Sequence, residues 1–245
     1  RMLTSAVSSI DNKELIKSPA TSITNILAGA LPGVSSVQTT GQPGKDAAAI
    51  YVRGVGSLND SQSKPLILVD GVERAFSQID PNEVETISVL KDASSTAVFG
   101  VRGANGVILI TTKTGMREQK ATATYTGYVS FSNWAKKADF MTSEDIRAGK
   151  TQYNDEGYDT DWLKAVSRTA VTQNHSFTIT GGSSSTSYYG NVSYRKAEGV
   201  MKKTGNEDLS MSFDVSHWML NDMLKVNLNV VSDNYKYDIN NASYS

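Results

Sequence analysis

The chain has 245 residues, 24 basic and 25 acidic side chains, a formal net charge of -1, two histidines and no cysteine. That length holds one large domain or two ordinary ones, each with a buried core. The balanced charge gives no footprint for nucleic acid, and the missing cysteines exclude disulfides, thiolate metal sites and cysteine nucleophiles. His175 (in NHSF) and His217 (in SHWM) have no second ligand at metal spacing, so no histidine metal site is expected. No run of about 18 apolar residues is present, which excludes a transmembrane helix but not a β-barrel. The opening RMLTSAVSSI has no basic region followed by an apolar stretch, so an exported form is expected to be a mature one.

Residues 1–117 read as a compact α+β unit. Leu3 to Ile10 is strand-like, Asp11 caps a helical turn over NKELI, and Ser18-Pro19 breaks it. Ser22 caps a second helix, Ile23 to Ala30, with Ile23, Ile26, Leu27 and Ala30 on one face; Leu31-Pro32-Gly33 ends it. Val34 to Thr40, Ala49 to Arg53 and Pro65 to Val69 read as strands, and Asp70-Gly71 is a hairpin turn into Val72 to Phe76. Val84 to Leu90 is a further strand. Asp92 caps a short helix, ASSTAVF, closed by Gly100, and Asn105-Gly106 turns the chain into the β-branched strand VILITTK.

Residues 118–245 change character, with frequent Ser, Thr, Asn, Tyr and Gly and strict alternation. Tyr125, Gly127, Val129 and Phe131 interleave with polar neighbours. So do Phe177 and Ile179; Tyr188, Gly190, Val192 and Tyr194; Leu209, Met211, Phe213 and Val215; and Leu224, Val226, Leu228 and Val230. About five strands with one apolar and one polar face follow. Two readings stay open: a soluble antiparallel sheet with its apolar face on a core, or a membrane barrel, apolar outside and polar within. The connections favour the barrel, because they run long (Asn133 to Thr172), short (Gly181 to Ser185), longer (Lys196 to Glu207) and short (Trp218 to Met223). Tyr125, Tyr128, Tyr188, Tyr194, Tyr235 and Tyr237 fit interfacial girdles or ordinary strand positions equally well.

Residues 22–115 resemble the plug of the SusC/RagA family of TonB-dependent transporters. IYVRGVGSL (50–58), PLILVDGV (65–72) and the run from Ile79 to Gly115 are the most specific pieces, and DTDWLKAVSRTAVTQNHSFTITGG onward is similar to that family's early barrel. The resemblance implies an α+β plug domain (1–117), then the antiparallel strands of an incomplete outer-membrane β-barrel (118–245). It also implies uptake of nutrients too large for porins, commonly glycans and in some members peptides. Implied partners are a SusD-like surface lipoprotein, TonB acting through a segment expected before residue 1, and outer-membrane lipid. The implied location is the outer membrane of a Gram-negative bacterium, with the plug in the barrel lumen; no cofactor is implied. A plugged barrel of about 22 strands needs at least ~220 residues, so five strands cannot close one.

Arg53, Gly54, Gly56, Ser57, Asn59 and Asp60 contain a GxG but lack the third glycine and following helix of a dinucleotide loop. The resemblance places Gly54 to Asp60 at the head of the plug as substrate-contacting residues; turn glycines are the plainer account. Asp70, Glu73 and Arg74 cluster at the hairpin, as turn chemistry or as a substrate contact. Arg53, Glu83, Glu85, Lys91, Asp92 and Arg102 are plug charges expected to meet the barrel wall. Gly41 to Lys45 fails the phosphate-loop pattern and reads as an exposed loop. Asp155, Glu156, Asp159 and Asp161 miss EF-hand spacing, so no metal is expected; they do not define a glycosidase pair, and no Ser-His-Asp set occurs. Trp134, Tyr153, Tyr158 and Trp162 offer faces for sugars or for packing. The expectation is a transporter segment without catalysis. An autonomous carbohydrate- or peptide-binding module is the alternative, and a glycan hydrolase is a third class that lacks an acid–base pair.

Overall fold

The computed structural model describes residues 7–15, 23–27, 29–52, 54, 63–76, 79–137, 139–149 and 157–238. The N-terminal unit runs β1 (Val7–Asp11), α1 (Asn12–Leu15), α2 (Ile23–Leu27), β2 (Val34–Val37), β3 (Ala49–Val52), β4 (Leu66–Val69), β5 (Val72–Glu73), β6 (Val84–Leu90), α3 (Ala93–Thr96) and β7 (Val107–Thr112). Five of these strands form a mixed sheet, β1-β6-β7-β4-β5, in which only β4 and β7 are parallel; β2 and β3 pair separately. The β-branched runs fill its core: Val84, Ile87, Val89 and Ile108 pack with Leu15, Ile23 and Leu27 from the two helices. Asp70 (φ 49) and Gly71 (φ 85) are both left-handed, the requirement of a tight two-residue hairpin turn between β4 and β5.

Some elements are shorter than expected. The second helix stops at Leu27, β2 at Val37 and β5 at Glu73. Gly100 does not close a helix. It takes φ 59 and ψ -146 inside a 3-10 segment, Ala97–Gly103, that continues α3 through a kink. Gly106 keeps the expected turn, and a Cβ there would lie 2.8 Å from the Val52 side chain, which excludes larger residues.

After a linker, β8 (Thr122–Ser132), β9 (Ala170–Gly182), β10 (Thr186–Glu198), β11 (Gly205–Met219) and β12 (Leu224–Asp238) form an antiparallel wall in sequence order. They are 11, 13, 13, 15 and 15 residues long, enough to cross a bilayer core, which takes about 9–11 tilted residues. They outrun the alternating segments because backbone pairing continues through polar ends such as Lys196↔Glu207 and Glu207↔Lys236. The connection 133–169 holds two short helices not expected from the sequence, α4 (Ser143–Arg147) and α5 (Trp162–Val166).

The wall is inverted relative to a soluble sheet. Phe131, Phe177, Val192, Phe213 and Leu228 are exposed, whereas Thr172, Asn174, Asn191, Ser193, Ser210 and Asp214 are buried beneath the N-terminal unit. The soluble-sheet alternative is therefore corrected: the apolar face covers no core and is matched to a hydrocarbon solvent. The five strands do not close, since β8 and β12 are both edges. Phe213→Arg should cost roughly 2–4 kcal/mol on transfer into a bilayer. Equilibrium folding into lipid vesicles measures it, and a cost below about 0.5 kcal/mol, the scale of an ordinary surface change, would contradict the assignment of faces.

Candidate functional site

The N-terminal unit places a turn, Asp80-Pro81-Asn82-Glu83, against the wall on the way into β6. Asp80 organises the turn and reaches out of it at once. Its Oδ1 accepts from the backbone N–H of Asn82 at 2.8 Å and from the Asn82 side-chain amide at 3.0 Å. Its Oδ2 accepts from the Ser193 hydroxyl on β10 and, at 3.4 Å, from the Ser210 hydroxyl on β11. Three residues on, Glu83 Oε1 accepts from the Asn191 amide at 3.4 Å. Both carboxylates are buried, Glu83 to 4% exposure.

The turn is braced from behind. The Lys113 ammonium donates to the Asn82 carbonyl at 2.8 Å, and its backbone N–H to the Glu83 carbonyl at 2.8 Å. The Asn12 amide donates to the carbonyls of Pro81 (3.2 Å) and Val84 (2.6 Å). Burial is the largest influence on Glu83 and raises its pKa from the ordinary 4.5 to about 7; the Asp80 charge adds to this. The nearby Ser212 hydroxyl, the Asn191 amide and the Arg74 charge act in the opposite sense. Burial pushes Lys113 down, against the pull of Asp80, Glu85 and Glu83. Hydroxyls and amides facing carboxylates make a contact that is specific in geometry, yet each bond has a ready replacement in water.

Two further seams flank the turn. At the linker, Arg117 pairs with Asp222 in the β11–β12 turn at 2.9 Å and donates to the Ser184 carbonyl at 2.6 Å. Its guanidinium lies 5.0 Å from the Trp218 ring centre, and the Lys225 ammonium lies 5.1 Å from it. Thr114, Gly115, Ser187, Ser216 and Asn227 line a cavity of about 350 Å³ beside them. At the far end of the wall the loop Gly41 to Lys45 is exposed at both ends, as expected, while Gly44 within it lies against strand tyrosines. A Cβ on Gly44 (φ 87) would lie 2.9 Å from Tyr237 and 3.3 Å from the Tyr235 hydroxyl.

Arg53, Gly56, Ser57, Asn59 and Asp60 lie outside the described residues; Gly54 is exposed with φ 89. The Asp70 carboxylate accepts from the backbone N–H of Thr112 at 3.0 Å and from its hydroxyl at 2.6 Å, fastening the hairpin to β7. Glu73 pairs with Arg102 on the surface of the same unit. Lys91 donates to Ser8 at 2.6 Å and to the Pro32 carbonyl, and Asp92 stands at the N-cap of α3 with no side-chain cap bond, its carbonyl accepting from Thr96. Glu85 is exposed. Of the expected wall-facing charges, Glu83 meets the wall, while the named partners of Lys91 and Arg102 are within the N-terminal unit. Asp80, the nearer contact, is not among the charges the sequence points to. The signal available was two acids three residues apart at a Pro turn just before a buried strand.

In the long connection, Asp159 accepts from Ser143 at 2.6 Å and Asp161 caps α5; Asp155, Glu156 and Tyr153 lie outside the described residues. Among the described residues no group of three or more His, Asp or Glu side chains could hold a metal ion. His175 bonds Tyr125 at 2.6 Å and His217 bonds Thr186 at 2.7 Å, both pairs on the outward face.

Residues 1–107 match the TonB-dependent Receptor Plug Domain family. Over 244 residues the chain is 35% identical to the TonB-dependent receptor SusC of Bacteroides thetaiotaomicron, covering 93% of this chain and 24% of that protein. It is 32% identical over 256 residues to the TonB-dependent receptor P26 of Formosa agariphila, covering 96% and 25% respectively. The solved RagAB peptide importer in its open-open state superposes with a TM-score of 0.84 at 25% identity, over 97% of this chain and 31% of that one. The chain thus spans about a quarter of the length of the curated relatives it matches.

Burial in the folded protein makes the Glu83 carboxyl bind its proton more tightly than in the unfolded chain, so the stability its protonated form contributes is full below about pH 4.5 and is lost as pH rises through about 7. Protection of the amides at residues 80–86 of the membrane-inserted protein, taken relative to the base-catalysed intrinsic exchange rate at each pH, should be greater at pH 5.5 than at pH 8.5. Glu83→Gln should flatten that difference; an unchanged pH dependence in this variant would contradict the assignment.

Proposed function

The chain belongs to the SusC/RagA type of TonB-dependent receptors, and on that premise we propose that its plug gates import of an oligosaccharide through an outer-membrane barrel. One observation carries this: a wall with its apolar face outward holds an acid-tipped plug against its polar inner face through Asp80, Glu83, Asn191, Ser193 and Ser210. Such a seam closes a lumen while remaining exchangeable for water, which suits a gate better than a permanent core.

The oligosaccharide reading draws on aromatic faces at the end of the wall away from the linker. Tyr235 and Tyr237 stand beside the Gly44 loop, and Tyr158 and Trp162 are 79% and 73% exposed in the long connection. Flat rings of this kind stack on sugar faces. The RagAB likeness supports a second reading, peptide import. On either reading a SusD-like surface lipoprotein closes over the outer end, and TonB pulls on a segment ahead of β1. The chain works by binding and gating rather than by turnover.

Uptake of a labelled oligosaccharide series by cells carrying the intact receptor tests the proposal. Uptake should require the receptor and fall at least tenfold when TonB is removed. Import of peptides with no oligosaccharide binding would replace the sugar reading with the peptide one. A soluble, monomeric form of this chain that binds ligand tightly without any transport would overturn gating in favour of an autonomous binding module.

A further inference from the structure

We propose that Asn12 is a positioning residue that relays detachment of β1 to the acid turn, so that a pull on the chain ahead of β1 frees the plug from the wall. This rests on the gating reading above. β1 is an edge strand whose sheet partner is β6, over the five pairs from Val7↔Leu90 to Asp11↔Thr86. The Lys91–Ser8 bond adds one side-chain tie. An edge strand can peel without opening the rest of its sheet. Leu15, fully buried in the core only three residues after Asn12, resists further peeling. β1 and Asn12 are therefore the first unit to leave under a pull.

Asn12 follows directly on β1, yet its amide holds carbonyls 69 and 72 residues away. Those carbonyls, of Pro81 and Val84, bracket Asn82 and Glu83. Once Asn12 departs, both carbonyls lose their donor. The turn then keeps the internal Asp80–Asn82 bonds and the Lys113 brace but no longer has a clamp across its two ends. Asp80 is presented to Ser193 and Ser210 only while the turn is held in shape, so slackening it weakens the wall contact without any force acting on the wall itself. The geometry makes one side-chain amide the shared member of two structures, the strand that is pulled and the turn that docks.

Because the sequence has no cysteine, a single reporter thiol is simple to install in this segment. Ser176 on β9 is buried and donates to Asn191, the wall partner of Glu83. In the intact receptor carrying Ser176→Cys, maleimide labelling should be slow, and adding Asn12→Ala should speed it about tenfold, the scale of two lost hydrogen bonds. Thr24→Ala serves as the comparison, since it removes a buried bond within the plug, from the Ala48 N–H at 2.9 Å, without touching the turn. It should leave the labelling rate within about twofold, because the bond it removes joins two plug residues away from the turn. The relay is wrong if Asn12→Ala labels no faster than the parent, or if Thr24→Ala speeds labelling equally. The assay needs no nutrient and no energised membrane, so its failure would remove the relay and leave import to be judged by uptake.

Discussion

A strand that crosses hydrocarbon must bond all its backbone groups to neighbouring strands and turn its apolar side chains to the lipid, which leaves polar side chains for whatever packs inside. This constraint shapes the plug as much as the wall. The plug keeps an ordinary aliphatic core for itself, around Ile87, Val89, Ile108 and Leu27. What it offers the wall is different in kind: two carboxylates on a turn, met by two serines and an asparagine. Had the seam been aliphatic, parting it would expose apolar area at about 25 cal/mol per Å², and the plug would be fixed in place.

Burying two acids three residues apart has a cost, and the structure offsets it in layers. Asp80 is saturated by Asn82 on one oxygen and by wall hydroxyls on the other. Glu83 is relieved by its raised pKa, which keeps a share of the molecules protonated near neutrality. Lys113 adds a positive charge behind the turn and lowers the energy of both acids. The seam is thus stable enough to hold yet built from bonds that water replaces. At the linker, Arg117 pairs with Asp222 and lies over the Trp218 ring, a second polar contact with the wall.

Much of the fold was legible because local chemistry and global pattern agree. Asp70-Gly71 and Asn105-Gly106 specify their turns, and the alternation from Tyr125 to Val230 names the face of each wall residue. The two helices of the long connection are not legible in the sequence although Thr142 and Asp145 carry a capping box, since five-residue helices leave no periodicity. Strand ends were underestimated because backbone ladders do not need apolar side chains. The site was less legible. Lys91 and Arg102 are as charged as Glu83, and no pattern in one sequence says which face of the plug meets the wall. That follows only once β1 is seen at the sheet edge beside β6, with the acid turn at the head of β6.

The central claim is that the acid turn must leave the wall for import to occur. Replacing Asp80 and Ser193 by cysteine in the intact receptor and joining them with a short, reducible thiol cross-link tests it directly. Cross-linked receptor should fold, bind nutrient and import none, and reduction should restore uptake to the level of the uncross-linked pair. Undiminished import by the cross-linked form would show that the gate opens elsewhere and would contradict the account.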